Sequence, residues 1–222
     1  MLGSQLFLPW LAGIAPFDRI DWIARSKDGT TIINKTERII AERSSVDLET
    51  IGRLQNSAVA VRSQRANKIL TEGSGFVLTS DGLIVTADIL VPEKADKISI
   101  FWNNKEYAVK IIKRDQINGL ILLKIEETSL PVAALGSNNL KLGQEVFSVG
   151  ARISDLGIFS LFTHRGYLAS LAPELTVDFK ASQLSNGSFI SDISGSIIGL
   201  DLIDTAGDII IIGADKIREL LK

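Results

Sequence analysis

The sequence predicts an all-β chain: two β-barrels in succession, closed by a short C-terminal helix and preceded by an N-terminal arm. Three observations carry that expectation. From Asn56 onward the chain is built of short apolar runs such as VAVRS, GFVLT, LIVTA, KISIF, EYAVKIIK and LILLKI, separated by Gly, Asp, Asn and Pro. Thirty of the 222 residues are Ile, a β-branched type that suits pleated, half-buried surfaces, and runs this closely spaced argue for a barrel or sandwich rather than βαβ units. Finally, the turn-rich segment Pro131 to Gly143 (PVAALGSNNLKLG) divides the body into two comparable halves. Closing each half on itself removes exposed strand edges.

Taken in order, the chain begins with an uncharged stretch, Met1 to Phe17 (MLGSQLFLPWLAGIAPF), that lacks a basic start and contains Pro9 and Pro16. It falls short of the ~20 apolar residues of a spanning helix. Trp10 and Trp22 flank the first charges, as aromatic residues do where a membrane span meets water. Two readings stand: the outer end of a membrane anchor, or an apolar arm that packs on the domain or on a neighbouring subunit. Thr30 to Arg43 reads as a linker strand, and Asp47 to Leu54 places Leu48, Ile51 and Leu54 at helical spacing after the candidate caps Ser44 and Ser45. Residues 1–45 are therefore set apart from a folded domain at 46–222, with barrel one at about 56–130, barrel two at about 140–213 and a closing helix at 214–222. In that helix Ile217, Leu220 and Leu221 form the apolar face.

Composition excludes several kinds of chemistry. A hydrophobic fraction of 45% and a mean hydropathy of +0.23 rule out a disordered chain. With 24 Lys plus Arg against 26 Asp plus Glu and no basic run, phosphate neutralisation is not the business of this surface, so no nucleic acid partner is expected. Zero Cys removes thiol catalysis, Cys-ligated zinc and disulfides, and a single His removes a His-based metal cage. No cofactor and no metal are expected.

Against this background, three blocks stand out in order: Gly73 to Val91 (GSGFVLTSDGLIVTADILV), Asp115 to Ile125 (DQINGLILLKI) and Leu130 to Gly150 (LPVAALGSNNLKLGQEVFSVG). With RGYLASL at Arg165 to Leu171 and DFKASQLSNGSFISDISGSIIGL at Asp178 to Leu200, they resemble the protease domain of the HtrA (Deg) family of trypsin-fold serine proteases over roughly residues 46 to 222. The resemblance implies a trypsin-like double β-barrel with a cleft between the barrels, His and Asp from the first and Ser from the second.

Carried over position by position, the resemblance places Ile89 where the family has His, three residues after Thr86, and Gly119 where it has Asp. Asn186, eight residues after Asp178, stands for the nucleophilic Ser. Ile takes no proton, Gly orients no imidazole and Asn carries no ionisable nucleophile, so base, orienter and attacking group are all missing. Leu184 replaces the Gly that lets the family's turn aim its N–H groups at an oxyanion. A substitute set would need Ser185 or Ser188 activated by a buried Lys180. The lone imidazole, His164, lies outside the catalytic position. Asn34 and Asn186 match the short glycosylation acceptor pattern, and the neighbours Glu126 and Glu127 read as a solvated turn.

The resulting expectation is a pseudoprotease, a catalytically inactive peptide- or protein-binding module of the cell envelope. By resemblance, an extended peptide or protein segment would pair with an edge strand at Gly199, Leu200 and Asp201, and the N-terminal arm would support a homo-oligomer; membrane anchoring is the expectation that rests on the apolar start itself. The family often carries a PDZ domain after the protease domain; with Lys222 directly following the closing helix, none is expected here. The alternatives are an active serine endopeptidase with a non-standard catalytic set, and a structural envelope protein whose groove is filled by its own side chains.

Overall fold

The computed structural model describes residues 48–137, 139–154 and 156–222. The N-terminal arm or anchor, the linker strand, the Ser44 and Ser45 caps and Asn34 lie outside those residues. Residues 48–57 are helical (α1), and Thr50, Leu54 and Ser57 form its buried face at helical spacing. The Ser57 hydroxyl donates to the Leu54 carbonyl at 2.7 Å, and the Trp102 indole donates to the Asn56 carbonyl at 2.8 Å, which satisfies carbonyls at the end of the helix.

Seven strands follow: β1 (Ala58–Arg65), β2 (Lys68–Val77), β3 (Leu83–Ala87), β4 (Lys97–Trp102), β5 (Lys105–Ala108), β6 (Lys110–Asp115) and β7 (Leu120–Lys124). They form one antiparallel sheet in the order β5-β4-β1-β2-β3-β7-β6. The hairpin turns are set by residues that accept positive φ: Ala66 and Asn67 between β1 and β2, Asn103 and Asn104 between β4 and β5. This sheet curls into the half-barrel that forms the first part of the expected double-barrel fold. Its two ends, β5 and β6, are successive halves of one stretch of chain that bends at Val109, so a single stretch serves both edges of the curled sheet.

The second half is a closed six-stranded barrel of β8 (Glu145–Ile153), β9 (Phe159–Ser170), β10 (Thr176–Val177), β11 (Phe189–Asp192), β12 (Ile197–Ile203) and β13 (Ile209–Gly213), in the order β10-β13-β12-β11-β8-β9. The chain ends with helix α2 (Ala214–Leu220). Its buried residues are Ala214, Ile217 and Leu220, whereas Leu221, expected on the apolar face, lies past the helix end and is 44% exposed. The Arg218 guanidinium ties α2 to the crossover between the barrels through the Leu135 and Gly136 carbonyls.

Burial explains why this order of elements is stable. Inward positions are filled by Ile, Val, Leu and Phe, and one continuous apolar cluster runs from Phe76, Ile84 and Leu123 of the first half into Phe147, Phe189 and Leu200 of the second. Phe76 and Phe189 meet at 5.3 Å with their rings tilted by 58°, so the two halves share a core. A smaller cluster around Val146, Leu168, Ile190, Ile198 and Ile211 fills the second barrel. Among the described residues no helix is long and apolar enough to cross a membrane.

Candidate functional site

Three local structures converge where the halves meet. β3 runs into a 3-10 turn, Asp88–Leu90, that carries Ile89. This turn is held from several sides. The Asp88 N–H donates to the Gly119 carbonyl at 2.8 Å, Arg114 pairs with the Asp88 carboxylate and donates to the Val91 carbonyl at 2.7 Å, and the Ser63 and Thr71 hydroxyls donate to the Leu90 carbonyl. Gly119 precedes β7 with φ +66°, after a loop in which the Asp115 carboxylate accepts from Asn118. That loop holds the Asp115 carboxyl below the usual carboxylate range, chiefly through the Asn118 side chain.

The third element is the 3-10 turn Gln183–Ser185 with Asn186 after it. Ile89, Gly119 and Asn186 line one cleft of about 460 Å³, together with Asp88, Leu202, Ile203, Asp204 and Ile210. Ile89 and Asn186 also border an adjoining hollow of about 240 Å³ with Leu70, Leu90 and Leu184. At this end the cleft wall is apolar: Ile89 is 63% exposed and presents a sec-butyl group.

Asn186 is itself fastened down. Its side chain accepts from the Ile203 N–H at 2.8 Å and donates to the Ile203 carbonyl at 3.4 Å and the Gln183 carbonyl at 3.0 Å. A carboxamide can do this because it is donor and acceptor at once, mimicking a peptide unit. The pattern is that of one residue of an added strand, supplied by the chain itself.

The turn around it also leaves no anion cradle. The Leu184 N–H is turned to the Ser182 hydroxyl at 3.3 Å, the Ser185 N–H to the Ser182 carbonyl at 2.8 Å and the Asn186 N–H to the Gln183 carbonyl at 3.1 Å. Donors bonded inside their own turn do not converge on a developing oxyanion. Leu184 takes its place in the turn without positive φ and projects into solvent, 49% exposed.

Gly199, Leu200 and Asp201 do not form the expected free edge. β12 is interior to the closed barrel. Gly199 pairs with Ile190 and Gly213, and Leu200 with Phe189 and Ile212. Asp201 pairs with Ile211 on one side, while on the other its N–H donates to Ser188 and its carbonyl accepts from Gly187. The reason is barrel closure itself: the residues after the Asn186 turn continue into β11 and cover that side of β12.

The fallback catalytic set does not assemble either. Lys180 is exposed, its ammonium 3.1 Å from the Asp208 carboxylate and donating to the Ala206 carbonyl, so it is engaged at the surface and not buried beside a serine. Ser188 is fully buried and turned inward to Asp201 and the Ser185 carbonyl. His164 is exposed and lies beside the rings of Phe162 and Phe179. Asn186 is 6% exposed, which leaves its amide closed to a glycan. Glu126 and Glu127 are separately paired, with Lys110 and with Lys105 and Tyr107. The Lys105 and Tyr107 bonds hold Glu127 at about 2.

The feature that sequence reasoning missed is inside. Asp201 has no exposed surface, and its Oδ2 accepts from Ser188 at 2.8 Å and Ser148 at 2.9 Å. Its Oδ1 and the Ser191 hydroxyl are buried without a hydrogen-bond partner among the described residues. The available signal was an acidic residue inside the apolar run IIGLDLI at a position whose neighbours in the run are all aliphatic. Among the described residues no three His, Cys, Asp or Glu side chains come together to hold a metal.

Comparison with known proteins fits this architecture. The sequence profile of the trypsin-like peptidase domain matches residues 73–200, more than half of the chain, and the chain belongs to that family. It is similar to the serine protease HTR4 of Rattus norvegicus, 31% identical over 165 residues, which cover 68% of this chain and 33% of that protein. It is also similar to the probable periplasmic serine endoprotease DegP-like of Pseudomonas fulva, 28% identical over 135 residues, covering 58% of this chain and 28% of the relative. The chain thus spans about a third of the length of the curated relatives it matches. The crystal structure of the serine endoprotease from Yersinia pestis shares the fold, with a TM-score of 0.69 at 20% identity, covering 79% of this chain and 65% of that one. The domain is an HtrA/DegP-like trypsin-fold serine protease domain.

Proposed function

We propose that this chain is a non-catalytic member of the HtrA-like group that acts by protein contact in an extracytoplasmic setting, with its substrate groove closed by its own residues. One observation carries the reading: Ile89, Gly119 and Asn186 face one cleft, and none of them can take, orient or deliver a proton there. The occupied backbone of Ile203 and the consumed N–H groups of residues 184–186 support it from a second direction. The extracytoplasmic setting rests on the periplasmic relatives by analogy. Of the initial expectations, a structural envelope role agrees better with the closed groove than peptide capture at Gly199 to Asp201. A binding role remains for a segment that displaces Asn186, favoured by the exposed Ile89 and Leu184 beside it.

The test is direct. Purified protein is expected to leave casein intact and to take up no fluorophosphonate, because a trypsin-like mechanism loses several orders of magnitude without its nucleophile and base. Labelling that disappears in Ser185→Ala or Ser188→Ala would instead establish a non-standard serine endopeptidase.

A further inference from the structure

A carboxyl group sealed inside a barrel, with one oxygen lacking a partner, calls for a physical account. Asp201 sits on β12 with no exposed surface. The elements packed against it are β8, which faces it with Ser148, the 185–188 turn leading into β11, which faces it with Ser188, and β13, which pairs with it at Ile211. Among the described residues no cation pairs with it, and no charged side chain acts on its ionisation. A carboxylate there would carry its charge on two hydroxyl contacts alone, a costly arrangement in a low-dielectric interior.

The hydrogens give the neutral form an advantage. Ser188 has one hydroxyl hydrogen and two acceptors within reach, the Ser185 carbonyl and Asp201 Oδ2, each at 2.8 Å. A protonated Asp201 can donate from Oδ2 to Ser188 Oγ, and Ser188 then donates to Ser185, so both hydrogens are placed and the 185–188 turn is pinned to β12. Ionised Asp201 instead draws the Ser188 hydrogen to itself, the Ser185 carbonyl loses its side-chain donor, and Oδ1 holds charge without any donor. The same turn carries Asn186, which closes the groove over Ile203, and Gly187 and Ser188, which bond the Asp201 backbone.

From this geometry we infer that Asp201, Ser148 and Ser188 form a proton-operated latch on the 185–188 turn, held through both Ser185 and Asp201 while the carboxyl is neutral and loosened when it ionises and the Ser188 hydroxyl leaves the Ser185 carbonyl. The inference deepens the closed-groove reading and rests on it for its effect on the cleft. Burial raises the Asp201 carboxyl to about 7, against the pull of the Ser188 and Ser148 hydroxyls. The folded value lies above the ordinary value of 3.8. The neutral form's stabilisation is therefore complete in acid below the ordinary value and is lost as pH rises through neutrality.

Two measurements on the intact chain test it. The ¹³C shift of the Asp201 side-chain carboxyl in wild type is expected to titrate near neutrality; a carboxylate already ionised at pH ~5, where an ordinary Asp is charged, would overturn the latch. Amide exchange protection, corrected for intrinsic rates, is expected to fall at least ~10-fold at Gly187 and Ile203 as pH rises from about 6 to about 8, the span over which a group of this kind ionises. The core amide of Val85 should stay constant, and Asp201→Asn, which cannot ionise, should hold protection flat. A parallel fall in Asp201→Asn, or a flat wild type, overturns the proposal. Ile203 separates the two ideas: if it exchanges freely at every pH while Gly187 still responds, groove closure fails and the latch stands.

Discussion

Gly187→Ala is expected to destabilise the fold by about 3 kcal/mol or more, as a left-handed backbone penalty adds to a steric one. Gly187 has φ +79°, in the region that favours glycine. A Cβ at this position would press into the Ser74 carbonyl oxygen and lie 2.7 Å from the Thr86 hydroxyl, and the first of these is backbone that cannot swing away. Gly143 provides the control. Its φ is +71°, but a Cβ there meets nothing within 4 Å. Gly143→Ala should therefore show only the conformational cost, about 1 kcal/mol. Urea denaturation of both variants reads the difference, and similar midpoints would mean that the 185–188 turn is not packed against β2 and β3 as described.

Phe189→Ala should cost about 3–5 kcal/mol, the range for removing a buried aromatic ring from a packed core. Phe189 is fully buried and meets Phe76 across the junction of the two halves, so the cavity would open in the cluster that joins them. Because native domains are stable by only about 5–15 kcal/mol, this one change is expected to bring the chain close to unfolding at physiological temperature. Ile117→Ala, at a residue 96% exposed, should change stability by less than about 0.5 kcal/mol. Thermal denaturation checks both. A small loss for Phe189→Ala would indicate that the halves fold and hold independently.

How much of this was legible beforehand differs between fold and site. The strands followed from runs such as LIVTA and LILLKI, whose aliphatic residues lie inside the sheet, and the closing helix from the spacing of Ile217 and Leu220, which are buried, although Leu221 on the same expected face is not. What periodicity does not encode is which strand covers which. The run SGSIIGLD suggests an edge as readily as an interior strand, and only the pairing of Leu200 with Phe189 and Ile212 decides it. The bend at Val109, which lets one stretch serve both edges of the first sheet, was not legible because EYAVKIIK looks like a single continuous strand.

At the site, the convergence of Ile89, Gly119 and Asn186 on one cleft follows block order and spacing, and those are properties of sequence. The roles of individual polar atoms are not. Asn186 and Asp201 are both small polar residues beside apolar ones, and nothing local distinguishes a carboxamide that bridges the Ile203 backbone from a carboxyl sealed against Ser148 and Ser188. Lys180 shows the same limit: the substitute dyad depends on burial, and the side chain is 65% exposed.

The closed groove can be measured at one atom. At slightly acid pH the Ile203 N–H, which donates to the Asn186 side chain, should be protected from exchange in wild type and unprotected in Asn186→Ala, with the rest of β12 unchanged in both. That outcome would place the groove under the control of the chain's own carboxamide. Free exchange at Ile203 in wild type, indistinguishable from Asn186→Ala, would mean the groove stands open and would contradict the account.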